Sequence, residues 1–205
     1  MSVSQFFKNI GNTLLIATTE PSTGDAIRAV LNNDAAAFEK IAAEAPKVLQ
    51  DQSLLTKLSE QQDPKFFHSF LAHADNPNPR IEKTWGLQRT GYFESRPFLS
   101  LLLYNGNAVG ASVLAGSSAI DVTEAGVWRL DDNEKHNRIL ESPLDIAKAQ
   151  GRGTQEFGPV VRLLTRRYAE KYARDADALD AKIGLTTPKT PTARFVIAED
   201  DPRFA

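Results

Sequence analysis

Apolar positions recur at helical spacing in four separate places along the chain, and each time they come in two short runs joined by a polar turn. Ala26, Ile27, Ala29 and Val30 form the first run, Asn32-Asn33-Asp34 the turn, and Phe38 and Ile41 the second run, which Pro46 ends. Leu54, Leu55 and Leu58 are followed by Asp63-Pro64 and then by Phe66, Phe67, Phe70 and Leu71, until Asn76-Pro77-Asn78-Pro79 stops the pattern. Leu99 to Leu103, the turn Asn105-Gly106-Asn107, and Val109, Val113 and Leu114 repeat it a third time, with Gly116 at the end. In the fourth, Ser142 can cap a helix that Pro143 enters at its first turn, and Gly151 supplies a left-handed residue to end it. Val160, Val161, Leu163 and Leu164 then make the second stripe, with Arg166 and Arg167 in its last turn, where positive charge is favourable.

The stretches outside these pairs differ in kind. Phe6, Phe7, Ile10, Leu14 and Leu15 predict an amphipathic N-terminal helix that caps the first pair; it lacks the basic face of a membrane-surface helix. Tyr172, Ala176, Leu179 and Ile183 predict a capping helix after Tyr168, and Gly184 stops it. From Leu185 on, the Thr- and Pro-rich tail reads as extended or disordered, and Phe195-Val196-Ile197 is apolar enough to dock or to add as a strand. Two insertions separate the later pairs. Arg80 to Ser95 carries Trp85, Arg89, Tyr92 and Phe93, and Ala119 to Leu140 carries Trp128, Arg129, Asp131, Asp132 and His136. Both tryptophans are thereby expected in loops, with at most short hairpin strands.

Ser142-Pro143-Leu144-Asp145-Ile146-Ala147, Gly151 and Val160 to Leu164 resemble the first helix, the inter-helix glycine and the second helix of an ankyrin repeat. The pairs beginning near residues 25, 53 and 97 resemble more degenerate repeats of the same family. Asn33 stands at the glycine position, where it tolerates positive φ, and Gln62 replaces that glycine in the second pair. Asp145 and Ser100 stand where the family usually has histidine. The resemblance implies an all-α fold: a short solenoid of about four helix pairs with long inter-repeat insertions. It would occupy residues 1–184, with a flexible tail at 185–205. It also implies a function, since that family binds other proteins through its loops and inner helices and rarely catalyses.

Composition narrows the picture further. With 41% hydrophobic residues, 24% charged and a formal net charge of −2, the 205-residue chain has no basic excess that would suggest nucleic acid. Cysteine is absent, which excludes disulfides and thiolate metal sites. No apolar run approaches the roughly 20 residues a membrane span needs, and the N-terminus makes a poor secretory signal, so a cytoplasm is the default compartment. His68 and His73 are wrongly spaced for one helix face, His136 is alone, and Ser117-Ser118 lacks a nucleophile elbow. No cofactor, metal or catalytic group is therefore expected.

The favoured reading is a protein-interaction module whose partner-binding residues are Trp85, Arg89, Tyr92, Phe93, Tyr104, Trp128 and Arg129, because Trp, Tyr and Arg most often carry interface energy. The competing structural reading has the rings roofing the core. Two alternatives belong to other classes. One is an enzyme or toxin site assembled from Arg89, Arg129, Asp131 and His136, and the other is a microbial effector acting in a host cell.

Overall fold

The computed structural model describes residues 20–85, 92–129 and 138–182; of Trp85, Tyr92, Phe93, Trp128 and Arg129 only the backbone is described. The expected N-terminal helix, the tail and the 184/185 boundary lie outside these residues. The chain divides into two compact units, Met1–Tyr168 and Ala169–Ala205.

In the first unit, the eight helices of the described chain begin in the pairs the apolar pattern predicts. They are α1 (Thr23–Leu31) with α2 (Ala35–Glu44), α3 (Gln52–Leu58) with α4 (Pro64–His73), α5 (Phe98–Tyr104) with α6 (Ala108–Gly116), and α7 (Pro143–Gly151) with α8 (Gly158–Lys182). Most starts are set by a short polar side chain that satisfies an otherwise unpaired helical N–H. Ser22, Asp34, Asp51, Asp63, Asn107 and Ser142 all accept such bonds. Ser22 forms a capping box with Asp25, and the same Ser-x-x-Asp spacing recurs at Ser142, whose hydroxyl donates to Asp145 at 2.6 Å. Asp145 thus has a local role, its N–H and carboxylate both engaging the Ser142 hydroxyl at the start of α7.

The two helices of a pair are joined by tight turns, and at the matching place in two of them the backbone is left-handed. Asn33 has φ 54° and Gly106 φ 75°. Gly151 behaves otherwise. Its φ is not positive and it remains inside α7, which Arg152 caps, because a short 3-10 turn at Gln155–Phe157 carries the reversal and buries Phe157.

Packing runs from pair to pair. First helices touch first helices, α1 on α3 and α5 on α7, and second helices touch second helices, α2 on α4 and α4 on α6. Phe38 of α2 meets Phe66 of α4 with ring centroids 5.2 Å apart, and Phe70 of α4 meets Phe98 of α5 at the same distance. Tilted pairs of this kind add about 0.5–1.5 kcal/mol each to the burial of the rings. Around them Leu54, Leu55, Leu58, Leu102, Leu103, Leu114 and Leu164 are fully buried, each contributing roughly 1.5–3 kcal/mol. Leu144 and Leu163 are only partly buried at the edge of this core.

Asn107 stitches the second and third pairs together. It is 0% exposed; its side-chain carbonyl accepts from the Gly110 N–H at 2.8 Å, and its amide donates to the backbone carbonyls of Ser59, at 3.0 Å, and of Gln61.

Two strand pairs interrupt the helices, so the expectation of an all-α fold is corrected to a mostly helical one with a small sheet. Strands β1 (Arg80–Trp85), β2 (Tyr92–Pro97), β3 (Gly126–Arg129) and β4 (Arg138–Glu141) form one antiparallel sheet in the order β1-β2-β3-β4. The β2–β3 pairing joins segments distant in sequence and makes the two insertions one structure.

The separate C-terminal cap expected after Tyr168 is instead the continuation of α8, because between Pro159 and Lys182 there is neither Gly nor Pro to break it. Arg166 and Arg167 are accordingly not in a last turn. Arg167 donates to the carbonyls of Ala115 and Ser117 at 2.7 Å and of Ile120 at 3.1 Å, and so caps the C-terminal end of α6. In the second unit the described residues are helical and mostly exposed, Tyr172 among them. No helix among the described residues is long and apolar enough to cross a membrane.

Candidate functional site

Each half of the sheet runs without a linker into a helix pair. Strand β2 ends at Pro97, the residue that precedes the first turn of α5, and β4 ends at Glu141, next to the cap Ser142 of α7. The position of the sheet is therefore dictated by two helices that already pack on each other.

The register then brings together residues that the sequence separates. Trp85 lies opposite Tyr92, Lys83 opposite Glu94, and Glu94 opposite Trp128 on its other side; Phe93 pairs with Arg129, and Arg129 with Arg138. Five of the seven expected partner-binding residues, Trp85, Tyr92, Phe93, Trp128 and Arg129, thus belong to one sheet by backbone position. The tryptophans stand in strands, which corrects their assignment to loops. Arg89 lies outside the described residues, as do Asp131 and His136, so the constellation of Arg89, Arg129, Asp131 and His136 is not described as a group.

Tyr104, the seventh, closes α5 and is 52% exposed, and its ring stacks on the Arg96 guanidinium with 3.9 Å from Cζ to the ring centroid. Arg96 itself is 1% exposed. Its guanidinium is ion-paired with Glu94 on the same strand, and its Nη2 lies 3.9 Å from a carboxylate oxygen of Glu141 on β4. Gly126 on β3 lies beside it: a Cβ there would sit 3.4 Å from Arg96 Cγ, in ordinary van der Waals contact. Sequence reasoning did not single out Arg96, Glu94 or Glu141. The available signal was an arginine set directly against the run Pro97 to Leu103, where a charge needs a partner.

A second arginine ties the base of the sheet. Arg80 Nε donates to Ser95 Oγ at 2.9 Å and its Nη2 to the carbonyls of Ser95 at 3.0 Å and Ala125 at 3.3 Å, and it is ion-paired with Glu124. Just before it, Asn78 donates to the Ala119 carbonyl at 2.9 Å and accepts from the Asp121 N–H at 2.8 Å. Both insertions are therefore pinned at their roots.

Such an arrangement can position a surface; its charged groups are engaged with one another. Among the described residues no group of three or more His, Asp or Glu side chains could hold a metal ion. The chain matches no protein-family model, and no curated protein and no solved structure shows significant similarity to it.

Proposed function

We propose that this chain is a protein-interaction module, an ankyrin-like stack of four helix pairs whose two insertions jointly present a recognition sheet to a partner protein. The observation that carries the reading is the merging of both insertions into one sheet. Aromatic residues that the sequence distributes over two segments, Trp85, Tyr92, Phe93 and Trp128, thereby belong to a single element, rooted by Arg80 and Asn78. Rigid placement favours recognition because a pre-ordered surface avoids the entropic cost of ordering on binding. The half-exposed ring of Tyr104 extends the same region along α5. The ankyrin-like reading of the helices draws its support from their pairwise stacking, first helix on first and second on second, and from the left-handed turn residues Asn33 and Gly106. The partner is a protein rather than nucleic acid, given a net charge of −2.

The test is affinity capture from the native cell with three baits of matched stability: the parent chain, Trp85→Ala/Trp128→Ala, and Arg28→Ala as a control on the exposed face of α1. A protein retained by the parent and the control and lost from the double variant supports the reading. A capture profile identical for all three baits, or one lost only with Arg28→Ala, rejects it.

A further inference from the structure

We infer that Arg96 is a latch that fixes the sheet to the helix pairs in one orientation, and that its contribution is to placement rather than to overall stability. The inference needs no partner and stands apart from what the sheet binds.

Arg96 is the last residue before Pro97 and Glu141 the last before Ser142, so their ion pair joins the chain at the entry to α5 with the chain at the entry to α7. Three strands and one helix supply its surroundings: Glu94 from β2, Gly126 from β3, Glu141 from β4 and Tyr104 from the end of α5. Its backbone partner across the sheet is Ile81 of β1, itself buried. A guanidinium is planar, and facing two carboxylates and a ring at once restricts its orientation. An apolar side chain of equal size would fill the same volume in several orientations. Buried ion pairs are in general weak sources of stability compared with apolar replacements, and their best-attested use is to select one arrangement among several compact ones. Here the alternatives are shifts of β3 and β4 against β2, whose pairing spans few residues and has no turn of its own to set it.

The test is amide hydrogen exchange followed by mass spectrometry or NMR on the full chain. Two variants are compared with the parent: Arg96→Met/Glu94→Gln, which removes the buried charges together, and the milder Glu141→Gln, which removes the β4 link and leaves the fold intact. The expected result is exchange at least tenfold faster in β2, β3 and β4 of the double variant and several-fold faster in β4 of Glu141→Gln, with α1 to α4 at parental rates and the thermal midpoint within a few degrees. Parental exchange across the sheet in both variants overturns the inference. So does an equal loss of protection in helices and sheet, which would make Arg96 an ordinary member of one cooperative core.

Discussion

Gly110 of α6 faces the ring of Phe67 on α4, and adding one methyl group there tests the stacking of second helices directly. A Cβ at position 110 would lie 2.5 Å from Phe67 Cζ, 2.8 Å from Cε1 and 2.9 Å from Cε2. Carbon atoms prefer about 3.5–4.0 Å, so either the ring or the helix must move by about 1 Å. The ring is fully buried and sits among other buried groups, which leaves the helix axis to give way. Overpacking of this kind costs about 1–3 kcal/mol. Alanine in place of glycine within a helix returns up to about 1 kcal/mol, so Gly110→Ala should destabilise by about 2 kcal/mol when the clash lies at the upper end of its range. Phe67→Leu removes the far end of the ring, and in that background the same alanine should be neutral or favourable, a coupling of about 2 kcal/mol. The assay is urea denaturation of the parent, both single variants and the double variant at constant m-value. If Gly110→Ala has the same effect in the Phe67→Leu background as in the parent, α4 and α6 do not approach as described.

Asn107→Ala removes a helix cap and the side-chain bonds to the Ser59 and Gln61 carbonyls at once and should lower stability by about 3 kcal/mol, measured by the same denaturation; a loss below about 1 kcal/mol would mean that the second and third pairs are not joined there. Leu164→Ala should cost about 2–5 kcal/mol, and Leu144→Ala clearly less, since Leu164 is fully buried and Leu144 only partly; the reverse order would contradict the placement of α7 and α8. Asp25 is held below its ordinary carboxyl pKa by the Ser22 hydroxyl first, then by the Ser22 N–H, and by Arg28, against the opposing effect of burial. A depressed carboxyl stabilises the fold above its unfolded-state pKa and loses that contribution as pH falls through the folded value. Asp25→Asn should therefore be less stable than the parent at neutral pH, with the gap closing below about pH 4, and a gap that widens in acid would refute the assignment.

The helices were largely legible because their information is local. Ser22, Asp51, Asp63 and Ser142 precede apolar runs at helical spacing, and Asn33 and Gly106 occupy turns that demand positive φ, so each pair is encoded within one continuous stretch of chain. The sheet was legible only as possible hairpins within separate insertions. Pairing of Phe93, Glu94 and Ser95 with Val127, Trp128 and Arg129 depends on the folded helices carrying two distant segments side by side, and no pattern inside either segment states it. The Arg96 cluster was hidden in part for the same reason, since Glu141 reaches it only once α5 and α7 have packed. Gly151 misled because glycine at a helix end suggests a left-handed stop, whereas here the 3-10 turn that follows makes the reversal. Arg167 was read from its own helix, while its three acceptors lie around the C-terminal end of another.

On the proposed function the joined insertions recognise a partner while the helix pairs supply the fold, and Trp85 and Trp128 separate those roles. Stacking is already provided by residues such as Leu54, Phe66, Leu102 and Leu164. Calorimetric affinity for the captured partner and thermal midpoint, measured together on Trp85→Ala and Trp128→Ala, decide the matter. The expected result is a loss of about 2 kcal/mol or more in binding, with the midpoint within a few degrees of the parent. A large fall in the midpoint with unchanged affinity would show that the rings serve the core and would contradict the account.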